Sequence, residues 1–269
     1  MFRLLKLPVI IIAAIVVTSL SIDAADTLSG VRGTLLGQLA GSNASGGCPS
    51  GMVAILDEGG MSCVDQYENS PGEACPIPDP TNQFDSEQNI NTTGCTTVSK
   101  SDAKPWRFIT RDQAQAMCLR SGKRLPTNAE WHRLALGTSD QTGNCNTNAN
   151  DVVKTGSRLE CRSAVGVFDA VGNAWEWTSE DAINGQLNNR QLPETGYVQA
   201  ADSAGVAFES SQTPNDTYGR DYIWTNTDTI YAIMRGGFFG SGNDAGVYTL
   251  HANVPVDMRG NAISFRCVQ

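Results

Sequence analysis

Hydrophobic residues are distributed unevenly along this chain. Residues 9–17 form one unbroken apolar run, whereas from Cys48 onward the apolar runs are short and are separated by Asn, Gly, Thr and Asp. Short runs bounded by turn-forming residues are typical of a domain built from short strands and loops. The longest stretches without a clear period are residues 138–165 and 178–225, and we expect both to be mostly loop.

Two helices are predicted by capping boxes that precede apolar residues at helical spacing. Thr110 with Gln113 begins the first helix, and Thr127 with Glu130 begins the second. Each segment stops at a glycine. The residues concerned are Ala114, Met117, Cys118 and Gly122 in the first segment, and Trp131, Leu134, Ala135 and Gly137 in the second.

Short runs rich in β-branched and aromatic residues predict several strands. These runs lie at residues 52–56, 62–67, 229–235, 246–250 and 262–268. Two helices and several short strands in a loop-rich chain indicate the α+β class.

The beginning of the chain has the pattern of a targeting segment. Arg3 and Lys6 give a positive start, residues 9–17 are apolar, and Ala24 ends an acceptable cleavage site. An uncleaved membrane anchor is the alternative, although the apolar run is short for a spanning helix. We therefore divide the chain into a signal peptide (1–24), a flexible linker (25–47) and one domain (48–269).

All eight cysteines follow the predicted signal peptide. They are Cys48, Cys63, Cys75, Cys95, Cys118, Cys145, Cys161 and Cys267. An even number of cysteines in an exported chain indicates a disulfide framework, because thiols oxidise outside the cytoplasm. A zinc site is not favoured, since the chain has no Cys-x-x-Cys pair and only two histidines.

The formal net charge is −9, with a pI near 4.7. An acidic surface repels phosphate backbones and anionic lipid headgroups. The composition therefore excludes nucleic acid as a partner, and we expect membrane contact only through an uncleaved N-terminal segment.

Four segments of the domain resemble the formylglycine-generating enzyme, or sulfatase-modifying factor, family. They are CVDQYE (63–68), GKRLPTNAEW (122–131), GVFDAVGNAWEW (166–177), and RGG (235–237) with the terminal FRC (265–267). The resemblance covers about residues 48–269 and implies a variant of the C-type lectin fold. It also implies a disulfide between Cys118 and Cys267.

The other disulfide expectations come from position along the chain. Cys145 and Cys161 flank one Asn-rich loop, and we expect them to close it. Proximity suggests Cys48–Cys63 and Cys75–Cys95 for the remaining four cysteines, although their pairing stays open.

The resemblance implies one calcium site. Its ligands are Asp169, the carbonyl oxygens of Gly172 and Ala174, and Glu176. Calcium takes carboxylate and carbonyl oxygens together, which this glycine-containing loop can supply. In the alternative interpretation, Glu176 only satisfies neighbouring backbone amides.

The resemblance does not extend to the residues that carry the family's oxidase chemistry. That reaction uses copper(I) held by two thiolates, because copper(I) prefers sulfur ligands. Aligned from Gly236 and Gly237, the two copper positions fall on Ser241 and Gly246, and no cysteine lies between residues 236 and 265. We therefore expect no bound copper and lean against an enzymatic function.

Residues 238–261 resemble the terminal segment of variable proteins diversified by retroelements, which share the lectin fold. Mutagenesis at the two adenines of an Asn codon yields only certain residues, and the candidates here belong to that set. We predict ligand binding through a C-terminal face, defined by Phe238, Phe239, Ser241, Tyr248, His251, Val254, Asp257 and Arg259. Alternatively, this is an ordinary loop with Phe238 and Phe239 in the core.

The sequence thus favours an exported, non-catalytic module on the formylglycine-generating enzyme scaffold that binds an unknown protein or glycan. It would act in the periplasm, at the cell surface or in secreted form. Two alternatives remain open: an enzyme of the same family with a chemistry that does not use copper, and a structural protein of the cell envelope.

Overall fold

The computed structural model of the protein describes residues 47–57, 60–139 and 143–269. The predicted signal peptide (1–24) lies outside these residues, as does the predicted linker (25–47) apart from Gly47, so both stay predictions. Residues Cys48–Gln269 form one compact unit.

Three α-helices and thirteen strands occur in the described part of the chain. The helices are α1 (Gln83–Asn91), α2 (Arg111–Arg120) and α3 (Asn128–Ala135). The first strands are β1 (Met52–Asp57), β2 (Gly60–Asp65), β3 (Asn69–Pro71) and β4 (Thr97–Ser99). The others are β5 (Trp175–Ile183), β6 (Gln186–Leu187), β7 (Arg190–Gln191), β8 (Gly196–Ala201), β9 (Ala207–Ser211), β10 (Tyr222–Thr225), β11 (Ile230–Arg235), β12 (Leu250–Val254) and β13 (Ile263–Ser264).

A nine-stranded mixed sheet organises the domain. Eight strands follow the order β7-β6-β5-β11-β12-β10-β8-β9, and β13 pairs with β5 away from this path. The pairs β10–β12 and β5–β13 are parallel, and the other pairs of this sheet are antiparallel. Strands β1 and β2 form a small antiparallel hairpin, and β3 and β4, between which α1 lies in the chain, form a second two-stranded antiparallel sheet.

Two apolar clusters cover opposite faces of the large sheet. Met234 packs with Trp177 and with Met117 of α2, whereas its neighbour Ile233 packs with Ile223. Because successive side chains of a strand point to opposite faces, these clusters lie on the two sides of β11. A third cluster joins α3 to β1 and β2.

The two predicted helices are confirmed, and each begins with the expected capping box. Thr110 accepts a hydrogen bond from the Gln113 backbone amide, and the Gln113 carboxamide accepts one from Thr110. Thr127 and Glu130 repeat the arrangement, and Glu130 also pairs with half-exposed Arg124 at 2.5 Å.

The sequence did not predict α1 because its buried face is polar. Asn82 caps its N-terminus by accepting from two backbone amides. Ser86 donates to the Arg107 carbonyl oxygen and accepts from the Trp106 indole, and Asn89 exchanges hydrogen bonds with the Ile77 backbone. Hydrogen-bonded polar residues thus replace the apolar stripe by which helices are detected.

Several strand and loop predictions were wrong. The stretch 178–225 was expected to be mostly loop, but it contains most of β5 and all of β6 to β10. Residues 246–249 are not a strand, since β12 begins only at Leu250, and of residues 262–268 only Ile263–Ser264 form one. Polar residues fill the exposed positions of these short strands and conceal their alternation. Residues 143–165 contain turns and isolated bridges but no helix or strand, as expected for a loop.

The structure pairs all eight cysteines. The bridges are Cys48–Cys63, Cys75–Cys95, Cys118–Cys267 and Cys145–Cys161, the same pairings that the sequence suggested. Four disulfides indicate an oxidising, extracytoplasmic environment. Within the part of the chain that the structure describes, no helix has the length and hydrophobicity to cross a membrane.

The four bridges should contribute unequally to stability. Cys118 and Cys267 are 149 residues apart, whereas Cys145 and Cys161 are 16 apart. Loop-closure entropy predicts a loss of about 5 kcal/mol when both cysteines of the first bridge become alanine, against about 3 kcal/mol for the second. Urea unfolding of the two double variants measures the difference, and an equal loss in both would contradict the prediction.

Candidate functional site

A buried ion pair joins three of the sequence motifs. Arg266 donates through Nε to Glu176 Oε2 at 2.6 Å and through Nη2 to Oε1 at 2.5 Å, and both side chains are almost fully buried. Arg266 also donates to the carbonyl oxygens of Asp65 and Phe168. Although burial alone would lower the pKa of Arg266, the charge and hydrogen bonds of Glu176 raise it. The terminal FRC element is thereby tied to the segments at 63–68 and 166–177.

Two further buried carboxyl groups lie beside this pair. Glu68 Oε2 accepts from the Asn173 carboxamide, and Asp169 Oδ2 accepts from the Gly156 amide at 2.6 Å. The other oxygen of each, Glu68 Oε1 and Asp169 Oδ1, has no hydrogen-bond partner among the described residues. Burial, and then the charges of Asp169 and Glu176, raise the pKa of Glu68 well above its usual range. Burial likewise raises the pKa of Asp169 to about 6.

The donor set of this loop suits a hard cation. Asp169 Oδ1 is a buried oxygen without a partner, and Glu176 Oε1 accepts only one of the two hydrogen bonds that such an oxygen can take. The described residues contain no group of three or more His, Cys, Asp or Glu side chains that could hold a metal ion alone. A cation here would therefore also need backbone carbonyls, as the expected set with Gly172 and Ala174 provides.

Gly172 is required by the packing of the loop. Its φ is +75°, and a Cβ atom there would lie 2.5 Å from the Asn146 carbonyl oxygen. Any other residue would push the 169–176 loop away from the 146–147 segment.

Arg235 of the RGG motif, the last residue of β11, binds three backbone carbonyl groups and packs on an aromatic ring. Its guanidinium donates to the carbonyl oxygens of Thr249, Gly205 and Val247, and it lies 5.0 Å over the Trp131 ring. Burial lowers its pKa to about 10, so it stays charged at neutral pH. This arginine fixes the backbone that leads into and out of the C-terminal face.

The structure does not bring all eight residues of the C-terminal face to the surface. Phe239 is 7% exposed and packs with Val152 and Ala174, while Val254 is 2% exposed and belongs to the cluster under α2. For Phe239 the alternative, a core residue, is therefore correct. Phe238 is half-buried instead, against Trp175.

The other five residues of the face differ in their surroundings. Tyr248 packs on His132 and Tyr218, each 5.0 Å away between ring centroids, and the Ser241 hydroxyl accepts from the Phe238 amide. Asp257 is exposed, and Arg259 forms a 3.0 Å ion pair with Glu87 of α1. His251 is half-buried among aromatic rings, away from the Tyr248 contact.

Around His251 lies an aromatic row that the sequence did not reveal. It consists of Tyr197 of β8, Tyr222 and Trp224 of β10 and His251 of β12, with consecutive ring centroids 4.9, 4.7 and 5.2 Å apart. All four are half-buried and lie on one face of the sheet, since the intervening Ile223 is fully buried on the other. The available signal was the alternation in Tyr-Ile-Trp-Thr at 222–225, inside the stretch expected to be loop.

The row ends at an apolar cleft of about 290 Å³. Its walls are formed by Trp175, Phe238, His251 and Val254 on one side and by the 255–263 segment, including Met258, on the other. Three of the predicted ligand-binding residues, Phe238, His251 and Val254, meet here. The Nδ1 atom of His251 is buried without a hydrogen-bond partner in the described structure, and burial lowers the pKa of this histidine to about 4.

A family model for the sulfatase-modifying factor enzyme 1-like domain matches residues 61–269. The chain belongs to this family. The match covers all four sequence motifs and so confirms the resemblance on which the α+β, C-type-lectin-like expectation rested. A comparison with curated proteins finds no match to the sequence.

Solved structures similar to this sulfatase-modifying factor domain come from several proteins. The Major Tropism Determinant U1 variant aligns with a TM-score of 0.47 and 20% identity, over 82% of this chain and 52% of that one. Treponema denticola variable protein 1 gives 0.42 and 12%, over 78% and 84%. PvdO from Pseudomonas aeruginosa gives 0.40 and 14%, over 78% and 80%. The chain thus spans about half the length of the Major Tropism Determinant proteins.

The positions at which the family's copper ligands were expected hold no thiol in this sulfatase-modifying factor domain. Ser241 occupies the first, and its hydroxyl is used within its own turn. At the second, a Cβ atom on Gly246 would lie 1.7 Å from Asp221 Oδ1, so the backbone there leaves no room for a side chain. Asp221 itself is buried and accepts from the Tyr248 amide.

The pKa of His251 predicts a pH-dependent stability. A histidine whose folded pKa is about 4, against about 6.5 when unfolded, binds its proton less tightly in the folded state. Its contribution is complete above about pH 6.5 and is lost as the pH falls towards 4, by roughly 2–3 kcal/mol.

Replacing His251 with Phe keeps an aromatic ring and removes the proton. The variant should therefore lose less stability than the wild type between pH 6.5 and 4.5 in urea unfolding, while Tyr222→Phe, which changes a residue of the same aromatic row that does not titrate as histidine does, should match the wild type. Parallel pH curves for His251→Phe and wild type would contradict the assignment. The opposing effect of Asp169 and Glu68, whose raised pKa values favour the folded state as the pH falls, cancels in this comparison.

Proposed function

We propose that this member of the sulfatase-modifying factor family is an exported, non-catalytic module that binds a protein or glycan ligand through its C-terminal face. The observation that carries the proposal is the aromatic row with the adjoining cleft, held on the large sheet of a domain with four disulfides. Half-buried Tyr, Trp and His side chains on a rigid scaffold are the usual composition of a recognition surface.

The absence of the family's thiolate pair supports a non-catalytic function. All eight cysteines form disulfides, so no thiolate is available to hold copper(I). The crowding of Gly246 by Asp221 means that the second ligand could not be supplied without moving β12 or the preceding loop. Binding, rather than oxidation, is the activity that these residues can perform.

The burial pattern limits the positions at which retroelement diversification could act without disturbing the core. Substitution at Phe239 or Val254 would disturb the core, whereas Tyr248, His251 and Asp257 reach the surface. We propose that diversification, where it occurs, acts on these partly exposed positions. A near-copy of the DNA for residues 235–267 beside a reverse transcriptase gene would identify it.

The binding proposal is tested by reversing an exposed charge on the face. We expect Asp257→Lys to abolish or redirect binding to whichever members of an immobilised panel of extracellular proteins and glycans the wild type binds. The matched variant Glu73→Lys, also at an exposed acidic residue but outside the face, should bind as the wild type does. Equal binding by both variants would place the ligand elsewhere on the domain.

The same preparation tests the absence of catalysis. The protein is incubated with copper, oxygen and a cysteine-containing peptide of the sulfatase type. We expect mass spectrometry to show that the peptide cysteine is not converted to the aldehyde. Formation of the aldehyde would refute the proposal.

We further propose that calcium binds at Asp169, Glu176 and the carbonyl oxygens of Gly172 and Ala174. A divalent cation would offset the excess of three buried carboxyl groups over one guanidinium. Asp169 supplies the oxygen that otherwise has no partner, and the ion would fix the loop beneath the end of β5. The cation is structural in this assignment, because the loop belongs to the scaffold rather than to the C-terminal face.

Calcium should raise the unfolding free energy, by about 2.7 kcal/mol when it is present at 100 times its dissociation constant. Because the ligand must be ionised and the pKa of Asp169 is about 6, the effect should weaken as the pH falls below about 6. Asp169→Asn should remove it, as seen by thermal unfolding in calcium against a chelator.

Asp102→Asn is the matched control for this experiment. Asp102 has the same left-handed backbone as Asp169, with φ values of 61° and 58°, but it is 81% exposed and pairs with Lys154. Its calcium response should equal that of the wild type. A wild-type chain that unfolds at the same temperature with and without calcium would exclude the site.

A further inference from the structure

The aromatic row is the surface continuation of the main apolar core. Trp175 is 6% exposed and belongs to the cluster beneath α2, and half-buried Trp224 and Phe238 pack against that same cluster. Trp175 contacts Trp224 and His251 edge-on, with centroid distances of 5.7 and 5.3 Å. A core that emerges at the surface as a contiguous set of rings marks an interaction site.

We propose that the cleft at the end of this row is a socket for one neutral aromatic or branched apolar side chain of a protein ligand. This inference rests on the proposed function and deepens it, because it selects a protein over a glycan and names the part of the ligand that is recognised.

Size and charge define the occupant. A volume of about 290 Å³ is at the lower limit of small-molecule pockets and suits one large side chain. No Asp, Glu, Lys or Arg lines the cleft, and its lining includes the buried apolar side chains of Met234, Val254 and Ile263. An ion placed there would lose its hydration without gaining a charged partner. The polar side chains that line the cleft, those of His251, Asn253 and Asn261, are too few for an array of sugar hydroxyls.

The packing of the rings argues against a sugar. The ring of Trp224 lies nearly parallel to that of His251, with 20° between the planes. The ring of Tyr222 is tilted by 49° against that of Trp224. Tyr197 meets Tyr222 edge to face. The ring faces are thus used in contacts within the protein, whereas stacking of a sugar ring would require an open, flat ring face. The ring edges and the phenol hydroxyl groups remain available to a ligand, and they suit the mixed apolar and polar surface of a protein.

The outer wall of the cleft is held in place before any ligand binds. Phe108 donates its amide to the Gly260 carbonyl oxygen at 2.9 Å, and Arg259 is bound to Glu87. Met258 directly precedes these two anchored residues and is 45% exposed at the mouth. Two carboxamides, of Asn253 and Asn261, line the cleft and can bond the backbone of the segment that carries the inserted side chain. A pre-formed wall lowers the ordering cost of binding.

The test uses N-acetyl-L-tryptophanamide as a probe, which combines one aromatic side chain with two amides, and N-acetylglucosamine as the glycan probe. Binding to the exported chain is followed by calorimetry and by NMR of the tryptophan indole signals. The tryptophan derivative should bind, and Met258→Arg, which puts a charge at the mouth, should raise its dissociation constant about tenfold or more.

Leu159→Arg is the matched control. Leu159 is 74% exposed and does not line the cleft, so this variant should bind the probe as the wild type does. Ala262→Leu, which fills the cleft without a charge, is the second variant and should weaken binding as well. Far-ultraviolet circular dichroism of each variant verifies the fold.

Each other outcome overturns the inference. These outcomes are binding of neither probe by the wild type, binding of N-acetylglucosamine with the same dependence on residues 258 and 262, and normal binding of the tryptophan derivative by both cleft variants. A ligand that depends on Asp257 but not on Met258 would leave the proposed function intact and remove only the socket.

Discussion

The ion pair between Arg266 and Glu176 is the interaction on which the rest of the structure depends. It joins the last residues of the chain to the beginning of β5. Through the carbonyl oxygens of Asp65 and Phe168, it also reaches the 63–68 motif and the start of the 166–177 motif. Loss of one partner from a buried pair leaves an uncompensated charge and typically costs about 3–5 kcal/mol. In a domain with so many short elements, this pair and the Cys118–Cys267 bridge fix the C-terminal strand from two sides.

Charge balance around that pair explains why the neighbouring loop suits a cation. Glu68, Asp169 and Glu176 share one guanidinium, so protons or a metal ion must offset the remaining negative charge. At the proposed calcium site, protonation of Asp169 would compete with the ion, because the pKa of this carboxyl group is raised to about 6. The C-terminal face meets this loop at Phe239, whose amide donates to the Asn173 carbonyl oxygen and whose ring packs with Ala174.

In this fold, function depends on the side chains that surround a fixed backbone framework. The RGG arginine holds the backbone on both sides of the C-terminal face, while the copper positions of the family are replaced by Ser241 and by Gly246, which Asp221 crowds. The framework of a catalytic family is thus retained without its ligands. What remains partly exposed is an aromatic surface with a cleft, on which the proposed binding function rests.

The sequence by itself determined the α+β class, the family and both capped helices, because capping boxes and motifs are local signals. It suggested the disulfide pairings but left those of Cys48, Cys63, Cys75 and Cys95 open, and the structure decided them. It did not determine α1, whose buried face is hydrogen-bonded Ser86 and Asn89, or the strands of 178–225, whose alternation is too short to detect. Only the tertiary structure decided which residues of the C-terminal face are buried, and only the pairing of β8, β10 and β12 assembled Tyr197, Trp224 and His251 into one row. Contacts between strands far apart in the chain leave no periodic trace in the sequence.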